Sequence, residues 1–146
     1  MNSPLEILLI DDNPADLELL RETLVDQGRV LCVRCVLDGQ AALAQLRDTS
    51  KGAAIRRPDL IVLDLNLPKK DGGAVLAEIK SDPQLRSIPV VIFTTSQAPN
   101  DIEHSYMLGA NCFVTKPGNL HDFRAVVNRL EEFWLDVARL PRQGMP

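Results

Sequence analysis

Three carboxylates, a hydroxyl and a lysine form the set in this sequence best able to act together: Asp11 and Asp12, Asp64, Thr94 and Lys116. Carboxylates gathered at one edge of a fold repel one another, and at least one pKa rises unless a cation intervenes. A hard divalent ion relieves that repulsion. Magnesium takes oxygen ligands, keeps several waters, and commonly uses one or two carboxylates together with a phosphate oxygen. A lysine ammonium is a point charge for a phosphoryl group, and a threonine hydroxyl can bond one of its oxygens. An aspartate can also attack phosphorus to form an aspartyl phosphate, with positioning and charge neutralisation supplying the catalysis. Asp64 is the candidate nucleophile, because the end of an apolar strand should fix it more firmly than the loop pair Asp11 and Asp12.

Each residue alone has a plain structural use. Asp11 and Asp12 could cap a helix, Asp64 could begin a turn toward Pro68, and Lys116 before Pro117 could be an ordinary surface lysine. Their joint position at the ends of apolar runs argues for a site. Those runs are Leu5 to Ile10, Val30 to Leu37, Leu60 to Leu65, Pro89 to Thr94 and Asn111 to Thr115. They read as five short strands, and three are nearly continuous apolar segments of the kind found when helices cover both faces of a parallel sheet.

Helical spacing fills the gaps between the strands. Leu17, Leu20 and Leu24 share one face of a first helix, with Asn13 as N-cap, Pro14 at the first position and Gly28 suited to ending it. Further helices are expected over about Gly39 to Leu46, Gly73 to Lys80 and Asn100 to Leu108. Arg47 to Pro58 reads as a polar surface loop. Alternation of this kind gives an α/β sandwich with right-handed crossovers, and such sheets bind ligands at the carboxyl ends of their strands.

The gross properties agree with one domain over residues 1–146. The chain is 45% hydrophobic and 25% charged, near globular averages. A formal charge of −4 disfavours nucleic acid. No apolar run approaches the ~20 residues that span a bilayer, and Met1 to Glu6 lacks the regions of a secretory signal, so the cytoplasm is the expected location. Cys32 and Cys35 form a C-x-x-C, but they lie in a strand where positions three apart point to opposite faces, and no second pair completes a zinc site. Buried or half-buried structural thiols are expected.

With LLIDDN at residues 8–13, LIVLDLNLPKKDG at 60–72, IPVVIFTTS at 88–96 and CFVTKP at 112–117, the chain resembles the response-regulator receiver domains over about residues 5–135. The resemblance implies a flavodoxin-like (βα)5 sandwich with a five-stranded parallel sheet of order 2-1-3-4-5. It also implies Mg2+ held by Asp11, Asp12, Asp64 and the Asn66 carbonyl. A histidine kinase would phosphorylate Asp64. Thr94 and Phe113 would be the switch, and Lys116 would pair with the phosphoryl group. Phe113 stands where a tyrosine is often found, and Thr95 is larger than the usual alanine or glycine. Asn66 and Ser96 occupy positions that influence water attack, and neither is a strong general base. Beyond intrinsic phosphotransfer and self-dephosphorylation, no enzyme activity is implied.

After Lys116 there is room for one long helix, expected to reach about 20 residues or ~30 Å. Its far end carries Phe133, Trp134 and Leu135 in succession, which cannot all face one core stripe, so at least one should meet a partner or the tail near Leu140 and Pro141. The ending FWLDVARLP, with DLNLPKKDG and TTS, is similar to single-domain response regulators of bacterial and cyanobacterial phytochromes. That similarity implies a photoreceptor kinase as phosphodonor. It also implies a homodimer through the fourth helix, fifth strand and fifth helix, with Phe133 and Trp134 at the interface. Two rival readings stay open: a haloacid-dehalogenase-type phosphatase, whose D-x-D is here D-L-N, and a receiver-like scaffold or flavin carrier without phosphotransfer.

Overall fold

β-Branched and leucine-rich runs form strands here because both of their faces are covered. In the computed structural model, which describes residues 4–25, 28–50 and 56–142, five parallel strands alternate with helices. The order is β1 (Leu5–Ile10), α1 (Pro14–Val25), β2 (Leu31–Val36), α2 (Gly39–Ser50), β3 (Leu60–Leu63) and α3 (Gly72–Ser81). It continues through β4 (Val90–Thr94), α4 (Pro99–Met107), β5 (Cys112–Thr115) and α5 (Leu120–Glu131), with a π-helical segment Glu132–Val137 prolonging α5. The strands lie side by side as β2-β1-β3-β4-β5, the expected order.

Period-two alternation sends neighbouring strand residues into two different cores. Leu8, Ile10, Ile61, Leu63 and Ile92 pack with Leu43, Leu46, Val75 and Ile79 of α2 and α3. Ile7, Leu9, Val33 and Phe93 pack with Leu17, Leu20 and Leu24 of α1 and with Phe123 and Val127 of α5. The caps are local. Asn13 Oδ1 accepts the Ala15 and Asp16 N–H groups, Asp71 Oδ1 accepts that of Ala74, and Asn119 Oδ1 accepts that of Asp122.

Four features depart from the sequence reading. The second helix continues to Ser50 rather than ending at Leu46, because Arg47 on its last turn reaches Glu78 of α3 at 2.6 Å. The remainder of the expected loop is described only from Arg56 onward, since residues 51–55 lie outside the described residues. The long fifth helix is α-helical only to Glu131. Its last turn widens, with the Ala138 N–H bonding the Phe133 carbonyl at 2.7 Å, an i to i+5 spacing. Widening resolves the crowding at the helix end, since Trp134 and Leu135 both become half-buried while Phe133 stays exposed. Cys35 is exposed rather than buried, because β2 is an edge strand. A buried turn between α3 and β4, anchored by Leu85 and Ile88, carried no periodic signal.

The chain after the π segment folds back under the sheet. Arg142 donates to the Pro4 carbonyl at 2.9 Å and pairs with Asp59 at 3.3 Å, at the amino ends of β1 and β3.

Candidate functional site

β1, β3, β4 and β5 end along one edge, and the crossovers change sides between β1 and β3, where open α/β sheets bind ligands. Register sets the alignment. Ile10 pairs with Leu63, Leu63 with Ile92, and Thr94 with Thr115. The ladder then runs one residue beyond each strand. The Asp11 N–H donates to the Val36 carbonyl at 3.0 Å, the Asp64 N–H to Ile10 at 2.9 Å and the Lys116 N–H to Thr94 at 2.6 Å. Backbone hydrogen bonds therefore hold three of the expected residues before their side chains meet.

Lys116 lies at the centre. Its Nζ donates to Asp11 Oδ2 at 2.7 Å, Asp16 Oδ2 at 2.8 Å and Asp64 Oδ2 at 2.9 Å, which uses all three ammonium hydrogens. The Phe93 ring centroid lies 6.0 Å from the same nitrogen, at the outer limit of a cation–π contact. Asp11, Asp64 and Lys116 are 3%, 5% and 7% exposed. Burial alone would pull the lysine pKa down, but its bonds to Asp11, Asp16 and Asp64 outweigh burial and push it above the ordinary lysine range. Asp11 moves up for the complementary reason. Burial disfavours its charge and Asp64 adds repulsion, which exceeds the help from Lys116 and from the Asn13 N–H at 2.9 Å.

Asp12 is exposed, yet one carboxylate oxygen from each of Asp11, Asp12 and Asp64 lies within 4.8 Å of the others. A single hard cation can bridge oxygens at that spacing. Asp64 Oδ1 accepts the Asn66 N–H at 3.2 Å, which leaves the exposed Asn66 in the loop beside the cluster. Thr94 is wholly buried, and its Oγ1 has no hydrogen-bond partner among the described residues. An orphaned buried hydroxyl at the end of β4, on the residue whose carbonyl accepts the Lys116 N–H, fits an incoming oxyanion. Ser96 is engaged elsewhere, donating to Asp101 Oδ2 at 2.6 Å in the first turn of α4.

Phe113 on β5 is half-buried against the core that faces α2 and α3, and its N–H donates to the Tyr106 hydroxyl at 3.1 Å. Phe133 and Trp134 meet edge to face at 5.2 Å and point apart in environment. Trp134 lines a small apolar cavity with Leu20, Leu24 and Leu130, whereas Phe133 faces outward. The C-x-x-C forms no disulfide, and neither cysteine belongs to the acidic cluster.

Sequence reading missed three contributors. Asp16 lies in the first turn of α1, where a carboxylate is favoured by the helix end alone, so nothing in the local sequence set it apart. Gly72 lies so close under the acceptor loop that a Cβ there would strike the Asp64 carbonyl oxygen and Leu65 Cα, and its N–H bonds the Leu65 carbonyl at 2.9 Å. Tyr106 had no signal beyond its place on α4.

The model of the response regulator receiver domain matches residues 7–128. The chain belongs to this family. Response regulator Rcp1 of Synechocystis is 45% identical over 144 residues, covering 96% of this chain and 95% of that protein. The solved structure of the phosphorylated cyanobacterial phytochrome response regulator RcpA superposes with a TM-score of 0.90 at 50% identity, covering 95% of this chain and 99% of that one. The Mn2+-bound form of Rcp1 superposes with a TM-score of 0.88 at 45% identity, covering 94% and 99%. This receiver is thus a response regulator related to those of phytochromes, with an acidic cluster suited to a divalent cation. Among the described residues no helix is long and apolar enough to cross a membrane.

Proposed function

We propose that this receiver is a single-domain phosphorelay switch in which Asp64 accepts a phosphoryl group from a phytochrome-type histidine kinase, with Mg2+ as its cation. The observation that carries this reading is the buried Asp64 carboxylate bonded to the Lys116 ammonium, with the unpartnered Thr94 hydroxyl on the residue whose carbonyl accepts the Lys116 N–H. A carboxylate oxygen of Asp64 forms the new P–O bond as the bond from phosphorus to the donor's imidazole nitrogen breaks, and the electron pair stays with the imidazole. Asp11, Asp12, Asp64 and the Asn66 carbonyl would hold the cation, which would supply charge neutralisation for the transferring group. Lys116 turns from Asp64 toward a phosphoryl oxygen, Thr94 donates to another, and Phe113 follows inward. Differential contacts of this kind shift a two-state population.

Signal leaves through protein contacts, with no catalysis beyond phosphotransfer and self-dephosphorylation, and the setting is the cytoplasm. Exposed Tyr106 and Met107 of α4, Leu120 of α5, and Phe133 and Val137 beyond it support a homodimer through the α4, β5 and α5 face. Light scattering at micromolar concentration should give twice the chain mass, and Phe133→Ala should weaken the association. A monomer unaffected by the substitution would overturn the dimer. For the switch itself, acetyl phosphate or a phosphorylated kinase with Mg2+ should add one phosphoryl group, seen by intact mass, and Asp64→Asn should abolish it. Phosphate still taken up by the Asp64→Asn variant would place the acceptor elsewhere.

A further inference from the structure

Three carboxylates share Lys116, but they do not have the same future once the site is loaded. Asp11 and Asp64 both belong to the cluster whose oxygens can bridge a cation, and Asp64 is also the proposed acceptor. Asp16 is not part of that cluster, although its Oδ2 is as close to the lysine as the others, at 2.8 Å. We propose that Asp16 is a positioning residue, the standing partner that holds the Lys116 ammonium in place while Asp11 and Asp64 turn to the cation and the phosphoryl group. The proposal rests on the phosphoacceptor reading above.

An ammonium has three donors and here spends them on three acceptors. When a cation draws the oxygens of Asp11 and Asp64, and phosphorus takes one oxygen of Asp64, two of those donors are released. Both then face the place where the phosphoryl oxygens arrive. A lysine stem has many rotamers, so a nitrogen released from all three partners would leave the site for water. Retaining Asp16 removes that freedom without blocking either released donor.

The scaffold makes Asp16 suitable for this task. Its N–H is held at 3.2 Å by Asn13 Oδ1 in the cap of α1, so its backbone is fixed independently of the cation. Its carboxylate lies in the first turn of that helix, where a negative charge is favoured. Its side chain is 24% exposed against 3% for Lys116, so it meets the lysine from the solvent side.

The test compares the full chain with Asp16→Ala and Asp16→Glu. Phosphorylation by acetyl phosphate breaks the P–O bond to acetate, which leaves with the electron pair, and forms the bond to Asp64. Its rate should fall about tenfold in Asp16→Ala, which converts to ~1.4 kcal/mol, while the Mg2+ dissociation constant from calorimetry moves by less than about threefold. Asp16→Glu, which still reaches the lysine, should recover most of the rate. Independently of phosphorylation, the 1H–15N signal of the Lys116 ammonium should persist in the Mg2+-loaded native chain and vanish in Asp16→Ala.

A native rate in Asp16→Ala overturns the proposal. So does a rate loss matched by an equal loss of Mg2+ affinity, since Asp16 would then act on the cation. Persistence of the ammonium signal in Asp16→Ala also overturns it. If alanine lowers the thermal midpoint, the same measurements on the isosteric Asp16→Asn decide. A native chain that takes no phosphate from acetyl phosphate removes the phosphoacceptor reading, and the ammonium signal alone then decides whether Asp16 holds the lysine.

Discussion

The two ends of the sheet both bury carboxylates, and they treat them in opposite ways. At the amino ends of the strands Asp59 is 5% exposed and matched on every side. Its Oδ2 accepts the Glu6 N–H at 2.8 Å, its own N–H donates to the Glu6 carbonyl at 2.7 Å, and its Oδ1 pairs with Arg142 at 3.3 Å. At the carboxyl ends Asp11, Asp16 and Asp64 share one lysine, with Asp12 beside them. The first arrangement gives Asp59 a partner for each of its carboxylate oxygens and holds the fold together. The second has surplus negative charge and an unpartnered hydroxyl, and a ligand completes it. Burial of a charge is therefore not itself a mark of function here. The imbalance is.

The largest test of this contrast exchanges one carboxylate at each end. Asp64→Asn should lose phosphorylation entirely while its thermal midpoint holds or rises, because it removes one of several competing negative charges. Asp59→Ala should do the reverse. It orphans the Glu6 N–H and removes the carboxylate that faces Arg142, so denaturant unfolding should report a loss of about 2–3 kcal/mol with an unchanged phosphorylation rate. A large stability loss from Asp64→Asn would erase the distinction between the ends.

Adding Mg2+ at ten times its dissociation constant should raise stability by about 1.4 kcal/mol, measured by thermal unfolding. Asp12→Asn should diminish that gain, and a chelator should reverse it in the native chain.

Another buried carboxylate, away from both of these groups, lies between the extremes. Glu131 is 3% exposed and receives Arg29 Nε at 3.0 Å, while the same guanidinium pairs with Asp136 of the π segment. Arg29→Ala should cost about 1–2 kcal/mol in denaturant unfolding by leaving Glu131 unpaired. The pH dependence runs in two directions. Arg29 holds Asp136 below the usual carboxylate value, so its contribution is present above the unfolded pKa and is lost as pH falls through the folded one. Burial pushes Glu131 up, so its effect is the opposite and is lost as pH rises. The protection factors of the amides at residues 132–137 should fall in the native chain as pH drops through the folded Asp136 value, and should show no such fall in Arg29→Ala.

The smallest effect concerns the thiols. Desolvation pushes Cys32 and Cys112 up, and Cys35 in the same direction although its residue reaches solvent, so all three should react slowly with iodoacetamide at neutral pH. Peptide mapping should find Cys35 labelled first, since it alone of the three is exposed. Rapid reaction of Cys32 and Cys35 as a pair would restore a redox role for the C-x-x-C.

What the sequence determined by itself was the set of strands and the chemistry at their ends. Runs covered on both faces must be apolar throughout, and a residue just past a parallel strand stays on the edge where the strand ends, so Asp11, Asp64 and Lys116 were legible from position alone. Tertiary structure decided whatever depended on one helix meeting another element. Asp16 joins Lys116 only because α1 presents its first turn to β5 across an intervening strand order that no local pattern encodes. Arg47 extends α2 only because Glu78 of α3 stands opposite. Phe133 and Trp134 take different environments because the widened turn changes the facing of successive residues, an outcome of packing against α1 and Arg29 rather than of helical periodicity.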